Sequence, residues 1–216
     1  MRQLLPVLAL ASLVACSSSG GGPNRPSENR APVVVSVTVT PTFGVQDFGI
    51  YTFNVSATDA DGDTLTFTWN IGGNARTGAS VQAGPFTNGG TANATVTVTD
   101  PNGGSTTGSV NFVVGTMTGT WTGSVPGTAL PTFTMALTQA LGLFTGTITT
   151  PAGNGQVGPT GAVATITASG LVVMRIKVAP FTDFTMTGQM DGTGRIVTGT
   201  VQGSGFTGQA FSMTKS

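Results

Sequence analysis

The chain has 216 residues, a formal net charge of zero, 7% charged residues, 33 glycines and no histidine. This excludes the basic footprint of nucleic-acid binding, the charge-rich disordered class, and every chemistry that needs an imidazole. Apolar residues reach 38%, and much of the rest is Thr, Ser, Asn and Gln, a composition suited to short strands joined by many turns.

In chain order, Arg2 is followed by an apolar run from Leu4 to Ala15 that ends at Cys16, the single cysteine. The run is too short to span a bilayer comfortably, and one cysteine cannot form an intramolecular disulfide. Leu13-Val14-Ala15-Cys16 resembles the lipobox of bacterial lipoproteins. The resemblance implies that residues 1–15 are a signal peptide, that cleavage precedes Cys16, and that diacylglycerol is joined to its sulfur. A second acyl source on the new amine would anchor the chain firmly, at about 0.8 kcal/mol per buried methylene. Ser17 stands where inner-membrane retention signals often carry Asp, so the resemblance favours the outer membrane of a Gram-negative envelope. An ordinary secretory signal is the competing reading. Residues 16–31, rich in Ser, Gly, Pro and Asn without an apolar period, read as a tether with a reach of about 20 Å.

From residue 32 to residue 115 the pattern is alternation. Val33, Val35, Val37 and Val39 are expected on one face of a strand; Tyr51, Phe53 and Val55, then Leu65, Phe67 and Trp69, then Ala94, Val96 and Val98, then Val110, Phe112 and Val114 repeat the period. Period two with one polar face means half-buried antiparallel strands. Asp61-Gly62, Gly72-Gly73-Asn74 and Pro101-Asn102-Gly103-Gly104 supply the turns. Six or seven strands in about 85 residues fit a two-sheet sandwich. The stretch from Ala57 to Trp69 and that from Val96 to Gly104 resemble PKD and cadherin-like repeats, the Ig-like modules of bacterial surface proteins. Asn70-Ile71-Gly72-Gly73 departs from the Asp-Phe-Gly-Asp-Gly of PKD domains, so the broader Ig-like group is the expectation.

Asp59, Asp61 and Asp63 place three carboxylates on alternate residues beside Gly62. Hard oxygen donors of this kind suit calcium, and cadherin-like modules hold calcium in comparable acidic loops. A solvated Asp-Gly turn accounts for the same residues. Calcium is the one cofactor the sequence suggests.

Residues 116–216 are built on Thr-Gly steps, with strands expected at 117–125, 131–138, 143–150, 161–168, 170–178, 182–190, 194–202 and 206–214. Eight consecutive strands with short turns suit a small up-and-down antiparallel β-barrel; a second sandwich is the alternative. Gly119-Thr120-Trp121 resembles the Gly-x-Trp that opens lipocalin and avidin barrels, the calycin type. Trp121, Phe133, Met135, Met174, Phe184 and Met186 are expected inside, either packing the core or lining a lumen for a small apolar ligand.

The fold class is therefore all-β, an Ig-like sandwich followed by a small barrel. The function expected is non-enzymatic: a lipid-anchored envelope module that binds a protein or a glycan and no nucleic acid. A carrier of a small apolar ligand and a structural subunit of an envelope assembly are the other two readings.

Overall fold

The computed structural model describes residues 28–158, 161 and 163–216. The expected signal peptide, Cys16 and most of the expected tether lie outside the described residues. Among those residues there is no helix; every regular element is a strand.

The first domain is built from β1 (Val33–Thr40), β2 (Phe43–Val45), β3 (Tyr51–Thr58), β4 (Thr66–Ile71), β5 (Asn74–Thr77), β6 (Ser80–Ala83), β7 (Gly90–Thr99) and β8 (Ser105–Gly115). One sheet has the order β1-β3-β6, and the other β2-β8-β7-β4-β5. Alternation sends Tyr51, Phe53, Trp69, Ile71, Val96 and Phe112 into the space between them. Their rings interlock, with centroids 4.7 Å apart for Tyr51–Phe112 and 5.2 Å for Phe53–Phe112. The polar end of each large ring is satisfied. Trp69 Nε1 donates to Gly78 O at 2.9 Å, and Tyr51 Oη donates across the sandwich to Val113 O at 2.7 Å.

The first strand corrects the sequence reading. A register shift between Val34 and Ser36 is a bulge, which turns successive side chains to the opposite face. Val34 and Val37 therefore pack against the core with Val39, while Val33 and Val35 are 60% and 62% exposed.

The second domain contains β9 (Gly119–Ser124), β10 (Phe133–Ala140), β11 (Leu143–Thr150), β12 (Gly153–Val157), β13 (Ala164–Ile166), β14 (Leu171–Val178), β15 (Phe184–Met190), β16 (Ile196–Gly203) and β17 (Phe206–Lys215). Apart from β12 and β13, neighbours in sequence pair antiparallel, and β17 pairs back onto β9. The ring is closed, which excludes the second sandwich. Two short strands, β12 and β13, both bridge β11 and β14, so nine strands fill eight stations. Leu141-Gly142 and Ser204-Gly205 link their hairpins with positive φ at both residues, the geometry that matches the twist of paired strands.

Glycine sets the closeness of several strands. A Cβ on Gly199 would lie 2.0 Å from Thr187 O and 2.4 Å from Gly188 Cα, both backbone of the neighbouring strand. Gly188 and Gly199 are cross-strand partners, and Phe211 pairs with Gly199 on its other side. The missing side chain of Gly188 leaves room for the Phe211 ring, whose Cζ would lie 2.9 Å from a Cβ there.

The domains meet at the end of β8. Val45 of β2 belongs to the buried cluster of the barrel, together with Met117, and Phe43 packs against that cluster. A Cβ on Gly115 would meet the Phe43 ring at 2.7 Å and Met190 Sδ at 2.8 Å. One end of the barrel is thus stoppered by the first domain.

Candidate functional site

The loop after β3 and the loop between β7 and β8 lie side by side, because Thr66 pairs with Thr99 and Ser105 pairs with Thr99 on the other side. The chain enters the first domain at this same pole. Asn29 Nδ2 donates to Asp100 Oδ2 at 3.1 Å, and the Arg30 N–H donates to Asp61 Oδ2 at 2.7 Å.

The first loop folds on Asp59, whose Oδ1 accepts the N–H groups of Asp61 at 2.8 Å and Asp63 at 3.3 Å. This is the local closure that short acidic side chains favour. The second loop folds on Asp100 in the same way, its Oδ1 accepting from Asn102 N at 2.8 Å and Gly104 N at 2.9 Å. Asn102 Nδ2 then joins the loops by donating to Asp63 Oδ2 at 2.8 Å. Burial works against the charge of Asp100, but hydrogen bonds from Asn29 and from the Gly104, Asn102 and Gly103 backbone outweigh it. Its carboxyl accordingly sits below the ordinary aspartate value.

The structure gathers Asp59, Asp63 and Asp100, one carboxylate oxygen from each, all within 4.8 Å of one another. Asp61, expected with Asp59 and Asp63, is instead engaged by Arg30. Asp100 was hidden from sequence reasoning because it belongs to a distant loop; Val98-Thr99-Asp100-Pro101-Asn102-Gly103, a strand running into a turn, marks where it sits. Calcium takes oxygen donors at about 2.3–2.6 Å, so ligands of one ion lie no more than about 5 Å apart. The trio satisfies that limit. Asp59 Oδ2 is buried without a hydrogen-bond partner, an atom whose desolvation a cation would repay. These residues fit the cation that the resemblance implies.

The six residues expected inside the barrel are all there. Trp121, Met135, Met174 and Met186 are fully buried, and Phe133 and Phe184 nearly so. They pack with Ile148, Ile176, Val197 and their neighbours into one continuous cluster. Trp121 Nε1 donates to Met117 O at 2.9 Å, fixing the largest of them at the end that meets the first domain.

Residues 29–113 match the family described as Bacterial Ig domain, so this part of the chain is an Ig-like domain. Among solved structures, the PKD1 domain of Vibrio anguillarum Epp is similar at 24% identity, covering 40% of this chain and 96% of its own, with a TM-score of 0.33. The PKD1 domain of the Vibrio cholerae metalloprotease PrtV is 25% identical, with 40% and 100% covered and a TM-score of 0.33. A structure described as the basis for the promiscuous specificity of carbohydrate-binding modules from the beta-sandwich superfamily is 17% identical. It covers 87% of this chain and 93% of its own, at a TM-score of 0.39. Comparison with curated proteins returns no significant match.

Proposed function

We propose that the chain is a non-enzymatic, lipid-anchored lipoprotein of the bacterial envelope, with the outer membrane favoured. In this reading it acts as a surface module that binds a protein or a glycan. Ig-like domains are typically binding and spacing elements rather than catalysts, and that analogy sets the class.

One observation carries the reading. Both apolar interiors are continuous clusters of buried side chains, whereas the buried polar atoms left without partners among the described residues lie where loops and strand ends gather. Asp59 Oδ2 is at the tether pole; Asp47 Oδ2 is in the loop after β2, and Gln139 Nε2 is at the end of β10, both toward the domain junction. A buried polar group without a partner costs about 1–3 kcal/mol, and such groups call for a role. Calcium held by Asp59, Asp63 and Asp100 is proposed as a structural cofactor that stiffens the point where the tether enters.

Two experiments test this. In a bacterial host given a radiolabelled fatty acid, the chain takes up label and the Cys16→Ala variant does not; equal labelling would remove the anchor. The detergent-solubilised chain is then probed against glycans and envelope proteins, where saturable binding is expected. Retention of a small apolar molecule by the barrel in native mass spectrometry, with no glycan or protein bound, would replace the binding module by a carrier.

A further inference from the structure

Inward-facing positions along two barrel strands end in polar residues. β10 buries Phe133, Met135 and Leu137 in alternation, and the next position in that phase is Gln139; β17 buries Phe211 and Met213, and the next is Lys215. Both sit at the stoppered end of the barrel. Lys215 Nζ lies 5.9 Å from the Trp121 ring centroid and reaches Thr116 O at 3.4 Å. An ammonium carries three donors, and this one long bond leaves Nζ underused.

Gln139 is 5% exposed. Its Oε1 accepts the Met117 N–H at 2.7 Å, which fixes the amide orientation, because a backbone N–H can only donate. Nε2 is thereby left as a buried donor with no partner. Next to these groups lies a cavity of about 360 Å³, walled by Gln139, Lys215, Thr116, Asn88 and Gln46 among others. The walls hold one charged group, Lys215, and are otherwise hydroxyls, amides and glycine. The nearby Asp47 is not among them.

We propose that this junction cavity binds a carboxylate-bearing sugar, a uronate residue of an acidic glycan, with the Lys215 ammonium facing its carboxylate and the unpartnered Gln139 amide in the wall beside it. The inference rests on the binding-module reading and gives it a ligand class and a place. The one ammonium in the cavity walls is the charge complement of one carboxylate. Threonine hydroxyls and the Asn88 and Gln46 amides supply both donors and acceptors, the complement of sugar hydroxyls. The walls hold no large apolar side chain, so a lipid tail or an apolar peptide anchor has nothing to contact. Burial, and then the neighbouring Arg195, hold the Lys215 ammonium below the ordinary lysine value; a bound anion would reverse that.

The test is calorimetric titration of the detergent-solubilised full chain with D-glucuronate, D-glucose and acetate. Glucuronate binds saturably, and glucose and acetate at least tenfold more weakly. Lys215→Gln, at a half-buried position that tolerates a neutral side chain, weakens glucuronate binding tenfold or more while the melting curve stays cooperative. Gln139→Glu, which sets a second carboxylate in the cavity, does the same. Glucuronate bound no better than glucose or acetate, or equally well by Lys215→Gln, overturns the proposal. A glycan array run on the same proteins separates the two readings. Ligands whose binding is indifferent to Lys215→Gln leave the binding module standing without this site, and no ligand of any kind removes both.

Discussion

Replacing Gly199 by alanine should be among the most damaging single methyl additions to the barrel. The new Cβ would lie 2.0 Å from Thr187 O and 2.7 Å from Thr187 C, where carbon contacts ordinarily begin near 3.5 Å. Both atoms are backbone of β15, which is held by hydrogen bonds to β14 on one side and β16 on the other, so no side chain can turn away. Overpacking costs about 1–3 kcal/mol, and a clash with fixed backbone on a closed ring belongs at the top of that range, about 3 kcal/mol. That shifts the melting temperature by about 12–24 °C if the barrel unfolds alone, and by about 6–12 °C if both domains unfold together. Gly192→Ala is the matched control. A Cβ there meets nothing within 4 Å, and the change should be neutral or mildly stabilising, by about 0.4–1 kcal/mol, through the unfolded chain. Scanning calorimetry of the three proteins decides the matter. A Gly199→Ala melting temperature within about 1 °C of the parent would refute the idea that glycines set the β15–β16 spacing.

Three further outcomes are expected. Calcium at a hundred times its dissociation constant should stabilise the chain by about 2.7 kcal/mol; Asp63→Asn should abolish the rise in melting temperature and Asp61→Asn should keep it, and no rise at millimolar calcium would sink the site. Burial, opposed by the Gly44 backbone, pushes the Tyr51 hydroxyl from 10 up to about 12. The folded state therefore holds this proton more tightly than the unfolded one, and the associated stability is intact below pH 10 and lost as the pH rises toward 12. Tyr51→Phe should flatten that loss in alkaline melts, at a cost of about 1 kcal/mol near neutrality from the missing hydrogen bond to Val113. Asp191 is opposed by burial but stabilised as a carboxylate by Thr193, Ile196 and Arg195, so its value is lowered. Its contribution persists above the ordinary aspartate range and fades as the pH falls through the depressed value. Carboxyl carbon shifts in an acid titration should show Asp191 protonating below the ordinary aspartate value, and titration at or above that value would contradict the turn geometry.

Where side-chain alternation was strong and continuous, the fold could be read directly. Tyr51-Phe53-Val55 and Met174-Ile176-Val178 face inward as their period requires. Much of the strand order of the barrel follows from short turns, because each hairpin leaves little choice of partner. The bulge in β1 was invisible, since no glycine or proline marks Val35, and the reversal of faces comes from pairing with β3. Gly153-Asn154-Gly155-Gln156-Val157 reads as a loop by propensity, yet forms β12 because the open edges of β11 and β14 need partners. The acidic trio was half legible: Asp59 and Asp63 stand in one motif, but Asp100 reaches them only through the pairing of β4, β7 and β8. Gln139 and Lys215 did leave a trace, as polar residues in an inward phase otherwise filled by Phe, Met and Leu. That trace has meaning only once the two domains are seen to share an end.

The short pairing of β2 with β8 is parallel, Phe43–Val45 against Val113–Gly115. The chain reaches β2 from the tether side and leaves β8 toward the barrel. A pull between an anchored N-terminus and a ligand held at the junction would drag these two segments in opposite directions along their own axes. Their hydrogen bonds would then be loaded in shear and would have to rupture together rather than one by one. Under that load a three-residue patch would act as a mechanical fuse, setting how much force the first domain bears before it lengthens.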